Sequence, residues 1–200
     1  MRSVRFENKS IVPCKIVCLG RNFVEHAKEL GNEVPKEAVY FLKPNSSIGE
    51  ELLWREGLHY EAEICFLIQK GAIVAAAVGL DLTLRELQAK LKAKGLPWER
   101  AKAFKGAALF SEFVPIRSWQ GLRVRLFKNE ELVQEGDTSL MIFTPDRFIK
   151  EIEEIFALED NDIVMSGTPR GVGPVKRGDR FKAQLWQGKR LLVAKEWIAS

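Results

Sequence analysis

The stretch "GLHYEAEICFLI", residues 57–68, predicts a buried strand with two carboxylates on one face. Successive side chains of a strand point to opposite faces, so Glu61 and Glu63 share a side, roughly 7 Å apart along the backbone. Cys65 and Leu67 follow on that side, which predicts an apolar surface against it. Two like charges there repel by roughly a few kcal/mol at an effective dielectric constant near 20. The arrangement therefore calls for a shared proton, an Arg or Lys partner, or a divalent cation.

Length and composition predict one domain over residues 1–200. The chain is 46% hydrophobic, and its 15 glycines and 8 prolines form no linker or repeat. The net charge is +4, and the Lys and Arg residues are dispersed and mostly adjacent to Asp or Glu, which argues against nucleic acid as a partner. No run of residues is apolar enough for a membrane span, and three cysteines in apolar contexts indicate reduced, buried thiols. We therefore expect a cytoplasmic protein with no membrane partner.

Strand patterns outnumber helix patterns along the chain. Apolar or alternating runs predict strands at 15–20, 38–44, 59–68 and 72–82, with hairpins turning near 128–130 and at Gly188. One helix is predicted to begin with a capping box, with Thr83 as N-cap and Glu86 three residues later. A second is predicted from Thr144 as N-cap, Pro145 at the first position and Asp146 in the first turn. The predicted class is β-rich α+β, not a doubly wound α/β sheet.

Asp81 ends the predicted strand after the acidic pair and would supply a third carboxylate. Three carboxylates and several waters suit Mg²⁺ or Mn²⁺, which prefer hard oxygen ligands. The alternative is a solvated strand face on which lysines neutralise Glu61 and Glu63. Spacing alone leaves both interpretations open.

Three further segments could contribute to chemistry, each with a structural alternative. His26 and Glu29 share one face of a predicted helix, where a carboxylate can fix the tautomer of an imidazole base, although this spacing taken alone is more typical of a surface helix with mixed charges. The glycine-rich loop 166–175 could cradle a carboxylate with its N–H groups and the Thr168 hydroxyl, or form only a wide turn. Lys102, in a mildly apolar context, could neutralise a developing negative charge.

Seven segments taken in order are similar to the fumarylacetoacetate hydrolase superfamily, and most to its small acylpyruvases and oxaloacetate decarboxylases. The resemblance runs from about residue 15 to residue 185. The segments are "GRNFVEHAKELG", "KPNSSI", "HYEAEI", "GLDLTLRELQ", "KGLPWERAKAF", "GDTSLMIF" and "SGTPRGVGPV".

The resemblance implies a fold and a set of site residues. The fold would be of mixed sheets rolled into a pseudo-barrel with a few short helices, in a homodimer with one Mg²⁺ or Mn²⁺ per subunit. The implied metal ligands are Glu61, Glu63 and Asp81. The implied catalytic residues, two of them on a short lid helix at about 22–31, are His26, Glu29 and Lys102. The implied substrate-binding residues are Arg21, Gln88 and Thr168.

The implied activity is metal-dependent hydrolysis or cleavage of small 2-oxo acids, such as an acylpyruvate, fumarylpyruvate or oxaloacetate. The alternative is enol–keto isomerisation of a 2-hydroxydienedioate or of oxaloacetate. Hydrolysis, decarboxylation and isomerisation all pass through an enolate of the 2-oxo group, so the family resemblance alone does not distinguish them. A non-catalytic binding module is a remote alternative. Two departures from the family pattern stand out: a short segment joins Glu63 to Asp81, and Phe23 occupies a position where the family often has Tyr.

Overall fold

Strands make up most of the regular structure in this computed structural model, which describes residues 1–29 and 34–200. The strands are β1 Val4–Phe6, β2 Lys9–Ile11, β3 Lys15–Gly20, β4 Val39–Pro44, β5 Ile48–Gly49, β6 Leu58–Tyr60, β7 Ala62–Gln69, β8 Ala72–Asp81, β9 Thr83–Leu84, β10 Ala108–Phe110, β11 Val114–Pro115, β12 Leu122–Lys128, β13 Glu131–Asp137, β14 Ile163–Met165, β15 Gly173–Pro174, β16 Arg180–Gln187 and β17 Arg190–Ile198. The α-helices are α1 Val24–Glu29, α2 Arg85–Ala93, α3 Glu99–Lys102 and α4 Pro145–Phe156.

Two sheets form the body of the protein. The larger has the order β4-β3-β14-β7-β8-β10-β5, with β11 also paired to β8, and it mixes parallel and antiparallel neighbours. The second sheet is antiparallel, in the order β13-β12-β16-β17, and it packs on β7 and β8 of the first. Two small sheets, β1-β2 and β15-β6-β9, complete the architecture. The predicted β-rich α+β class is confirmed.

Strand β7 is buried on both faces, as its side-chain alternation predicts. Ala62, Ile64, Phe66 and Ile68 lie in one core cluster, shared with the second sheet, and Cys65 and Leu67 lie in another. Burying each large apolar side chain contributes about 1.5–3 kcal/mol, so the register of this strand is strongly fixed. The face of Cys65 and Leu67 is the one that carries the acidic pair at its amino end.

Gly79 allows the strands around the site to approach closely. In the β7–β8 pair it lies opposite Glu63. A Cβ at this position would come within 2.7 Å of Cys65 Sγ and 2.8 Å of the Leu109 carbonyl oxygen. Only glycine fits between these neighbours, and this packing brings the end of β8, with Asp81, beside the start of β7.

The predicted capping box at Thr83 is wrong. Helix α2 begins at Arg85, and Thr83 belongs to β9, which pairs with β6. The backbone N–H of Arg85 donates to the Gly57 carbonyl, and the Thr83 hydroxyl donates to the Asp81 carbonyl at 3.1 Å. Tertiary partners therefore replace the local cap, and the Thr83 side chain is directed to the acidic residues.

The other helix and hairpin predictions fare better. Helix α4 begins at Pro145 with Thr144 as its N-cap, and both hairpins, β12–β13 and β16–β17, are confirmed. Of the lid helix predicted at about 22–31, the structure has α1, and its predicted end at residues 30 and 31 lies outside the described residues. All three cysteines are free, but Cys14 is exposed, contrary to the prediction of buried thiols.

Within residues 1–29 and 34–200, none of the helices has the length and apolar character needed to cross a membrane.

Candidate active site

One cavity brings together the chemically interesting side chains of the main sheet, α1, α2 and α3. The buried carboxylates lie at its floor, the imidazole of α1 on its wall, and basic and aromatic side chains around them. Its lining residues are Leu19, Gly20, Arg21, His26, Val39, Phe41, Glu61, Glu63, Asp81, Arg85, Gln88, Lys92, Trp98, Lys102 and Thr168. Eight of the nine predicted site residues line it; Glu29 reaches it through His26.

Three carboxylates form the floor. Glu61 lies between β6 and β7, Glu63 lies in β7, and Asp81 ends β8. One oxygen from each lies within 4.8 Å of the others, and all three side chains are buried. The backbone N–H of Asp81 donates to the Glu61 carbonyl at 2.8 Å, which joins the two strand ends.

Lys102 neutralises two of these carboxylates. Its ammonium is buried and donates to Glu61 Oε2 and Asp81 Oδ2, both at 2.7 Å, and to the Thr83 hydroxyl at 2.6 Å. Burial favours the neutral amine, but the carboxylates of Asp81 and Glu61 outweigh it and hold the pKa of Lys102 above its ordinary value. These two carboxylates therefore favour the ammonium form of Lys102, which suits the residue to stabilising negative charge.

Arg85 provides a second partner for Glu61. Its guanidinium pairs with Glu61 Oε1 and donates to Gln88 Oε1 at 2.9 Å. Burial opposes ionisation of Glu61, but Lys102 and Arg85 override it and lower the pKa of this carboxyl. Glu61 is consequently ionised in the folded protein.

Glu63 has no such partner in the described part of the chain. It accepts one backbone hydrogen bond, from the N–H of Gly167 at 2.8 Å, and forms no ion pair with Lys or Arg. Burial and the nearby charges of Asp81 and Glu61 raise the pKa of this carboxyl well above its ordinary value. A buried carboxylate with anionic neighbours and no cation of its own fits a divalent cation among the three. The donor set, all hard oxygens, fits as well.

His26 and Glu29 form a dyad on α1. His26 is buried against the cavity, and its Nδ1 lies 3.1 Å from Glu29 Oε2. The other carboxylate oxygen of Glu29 accepts a hydrogen bond from the Gly171 N–H at 2.9 Å. A carboxylate on Nδ1 favours the tautomer with a free Nε2, which is the arrangement of a general base.

The glycine-rich loop cradles carboxylates of the protein itself. Its N–H groups at Gly167 and Gly171 hold Glu63 and Glu29. The hydroxyl of Thr168 donates to the Ala62 carbonyl at 2.9 Å, so its proton is already engaged although the residue lines the cavity. Thr168 therefore anchors the loop to β7.

Two buried polar residues at the site were not identified from the sequence. The Asn22 amide donates to the carbonyls of Phe143 and Ser166, and its oxygen accepts from the Phe143 N–H, which fixes the turn ahead of α1. Arg21, in this turn, has a positive φ of 60°.

The fully buried Lys43 places its ammonium 2.8 Å from Asp81 Oδ1 and donates to the Ala107 carbonyl at 3.1 Å. The sequence did offer one indication of the role of Lys43, since this lysine lies within the otherwise apolar strand β4.

Comparison with known proteins identifies the family. The model of the fumarylacetoacetate (FAA) hydrolase C-terminal domain matches residues 15–192. The chain belongs to this family. It is 42% identical to the mitochondrial oxaloacetate tautomerase FAHD1 of Arabidopsis thaliana over 189 residues, which cover 84% of the chain and 85% of that relative. The predicted resemblance is confirmed.

Solved structures show the same fold. A protein of Oleispira antarctica superimposes with a TM-score of 0.96 at 36% identity over the full length of both chains. The fumarylpyruvate hydrolase of Pseudomonas aeruginosa, solved with Mn²⁺ and pyruvate, gives a TM-score of 0.87 at 26% identity, covering 99% of this chain and 96% of that one. The protein is therefore an enzyme of this family, and its buried acidic cluster, Glu61, Glu63 and Asp81, has the character of a divalent metal site.

Proposed function

We propose that the protein is a Mg²⁺- or Mn²⁺-dependent enzyme that interconverts the enol and keto forms of a small 2-oxo acid, with oxaloacetate as the first candidate. The observation behind this proposal is that three carboxylates, Glu61, Glu63 and Asp81, lie together in one cavity with the ammonium of Lys102. The curated relatives, at 36–42% identity, are named oxaloacetate tautomerases, which favours this reaction.

Glu61, Glu63 and Asp81 would hold the cation and thereby orient the substrate. When bound there, a divalent cation supplies a Lewis acid for the carboxylate and 2-oxo group of the substrate. Enolisation then places negative charge on the 2-oxo oxygen. The ammonium of Lys102, desolvated and fixed by two ion pairs, stabilises that charge electrostatically.

His26 is the proposed base. Its Nε2 takes the proton from the carbon next to the 2-oxo group, and Glu29 stabilises the imidazolium through Nδ1. The same proton returns to carbon or to the enol oxygen when the product forms. Since Lys102 keeps its proton, His26 both removes and returns the transferred proton, and Lys102 contributes only charge stabilisation.

Hydrolysis of an acylpyruvate is the second candidate, favoured by the same dyad. His26 with Glu29 can activate a water molecule to attack the distal carbonyl, giving pyruvate and a carboxylic acid. The enolate released by this C–C cleavage meets the same Lys102 ammonium. Loss of CO₂ from oxaloacetate gives that enolate without a water molecule.

Ultraviolet absorbance of the enol tests the proposal. Wild-type protein with Mg²⁺ is expected to accelerate oxaloacetate tautomerisation, and Lys102→Met and His26→Ala are each expected to lower kcat about 10²–10⁴-fold. Lys105→Met, an exposed lysine three residues away, is the matched control and should behave as wild type. A wild type no faster than Mg²⁺ alone contradicts tautomerisation, and acetylpyruvate in parallel tests hydrolysis.

Assembly, location and domain content complete the proposal. We further propose a single catalytic domain over residues 1–200 that works in the cytoplasm as a homodimer, with Mg²⁺ or Mn²⁺ as its metal. Size-exclusion chromatography with light scattering measures the assembly, and calorimetry with Mg²⁺ and Mn²⁺ ranks the metals.

A further inference from the structure

Two cations line the candidate active site without a carboxylate partner among residues 1–29 and 34–200. Lys102 and Arg85 are paired with the acidic floor. Arg21 and Lys92 also line the cavity, yet neither forms an ion pair within the part of the chain that the structure describes. Charged side chains that line a cavity are normally paired, so Arg21 and Lys92 are suited to an anionic ligand.

Helix α2 directs Lys92 into the cavity. Arg85, Gln88 and Lys92 are spaced three and four residues apart, which places them on one face of the helix, and all three line the site. Lys90 and Lys94 on the same helix are exposed. The orientation of Lys92 thus follows from helical periodicity and distinguishes it from its neighbouring lysines.

An aromatic pair holds the Lys92 ammonium in place. Its Nζ lies 4.4 Å from the centroid of the Trp98 ring. Trp98 packs at 6.1 Å on Phe41, whose ring in turn lies 5.0 Å from Lys102 Nζ. A cation–π contact fixes an ammonium while leaving its charge available to a ligand. The ammonium of Lys102 faces the acidic floor, whereas the ammonium of Lys92 contacts the Trp98 ring and has no ion pair among the described residues.

The electrostatic surroundings agree with an anion site. Partial burial and the nearby positive charges of Arg21, Lys102 and Arg85 lower the pKa of Lys92 to about 8. Such crowding of like charges is unfavourable until an anion joins it. The crowding of positive charge around Lys92 therefore favours the binding of an anion at the position that its contact with Trp98 defines.

We propose that Lys92, supported by Trp98 and helped by Arg21, binds the distal carboxylate of the substrate and makes the enzyme selective for 2-oxo dicarboxylic acids. This inference rests on the proposed function, in which the acidic floor takes the 2-oxo acid end. A substrate with an uncharged tail would leave Lys92 unpaired and bind less tightly. Oxaloacetate meets the requirement, whereas acetylpyruvate does not.

Two inert ligands test the inference without turnover. N-oxalylglycine offers a chelating oxalyl end and a distal carboxylate, and N-ethyloxamate has an uncharged methyl group in place of that carboxylate. Calorimetry in Mg²⁺ is expected to give wild type about a tenfold preference for N-oxalylglycine. The preference should vanish in Lys92→Met, return in Lys92→Arg, and persist in the matched control Lys90→Met.

The outcomes separate this inference from the proposed function. Equal affinity of wild type for the two ligands overturns the distal site, as does a preference that survives in Lys92→Met. A wild type that prefers N-oxalylglycine but converts neither oxaloacetate nor acetylpyruvate retains the distal site and refutes the proposed reactions. In kinetics, Lys92→Met should raise KM for oxaloacetate about tenfold with little change in kcat.

Discussion

Lys43 allows a quantitative test of how the site is supported. The substitution Lys43→Met keeps the length of the side chain and removes its charge and its donors. In the structure, the fully buried ammonium lies 2.8 Å from Asp81 Oδ1 and donates to the carbonyls of Ala107 and Lys102. The variant would leave all of these acceptors facing a thioether.

The expected loss is large because the partners stay buried. Removing one member of a buried ion pair costs about 3–5 kcal/mol, and each stranded carbonyl by itself costs about 1–3 kcal/mol. Since the contributions overlap, we expect the free energy of unfolding to fall by about 3–5 kcal/mol. For a chain of this size, that corresponds to a decrease in Tm of roughly 6–20 °C.

Urea unfolding followed by tryptophan fluorescence in EDTA measures the loss. The control is Lys182→Met, because Lys182 is half exposed and its ion pair with Glu196 spans 3.6 Å. This control should change the free energy of unfolding by no more than about 0.5 kcal/mol. If Lys43→Met costs under about 1 kcal/mol and matches the control, the support role of Lys43 is refuted.

Two further predictions concern the metal site and the distal site. Mg²⁺ at about 100 times its Kd should stabilise wild type by about 2.7 kcal/mol in thermal unfolding, and Glu63→Gln should abolish this gain. Without metal, Glu63→Gln should be at least as stable as wild type at neutral pH, because a raised pKa of Glu63 means that its ionised form destabilises the folded state. A stabilisation by Mg²⁺ as large in the variant as in wild type would argue against ligation by Glu63. The ammonium of Lys92 is charged below its pKa of about 8, so kcat/KM for oxaloacetate, relative to its 4-ethyl ester, should fall as the pH rises above 8. A ratio that stays constant from pH 7 to 9.5 would show that Lys92 does not bind the distal carboxylate.

Alternation along one strand was the most informative property of the sequence. It correctly placed Cys65 and Leu67 on an apolar face of β7 together with the acidic pair, and the nearby end of β8 made Asp81 a third carboxylate. These inferences hold because a strand has a period of two and a register error would expose a whole apolar face. The helix and hairpin boundaries that depend on proline or on turns were also predictable.

Contacts between distant segments were not predictable from local patterns. Thr83 lies in a sequence typical of a helix cap. In the structure its hydroxyl instead donates to the Asp81 carbonyl and accepts from the Lys102 ammonium. Asn22 and Lys43 act through carbonyls that lie far along the chain, 59–144 residues away. Which of the basic residues pair with Glu61 depends on tertiary packing that spacing does not encode.

The loop after β14 serves two carboxylates with different proposed tasks. The Gly167 N–H holds Glu63 on the floor of the cavity, and the Gly171 N–H, four residues later, holds Glu29 on α1. A Cβ at Gly171 would come within 2.0 Å of the Val133 carbonyl oxygen, so the backbone path itself tolerates little variation. A family member can therefore diversify its substrates through the cavity walls more readily than through this loop, where a shift of the backbone would move the proposed metal ligand Glu63, the base partner Glu29, or both.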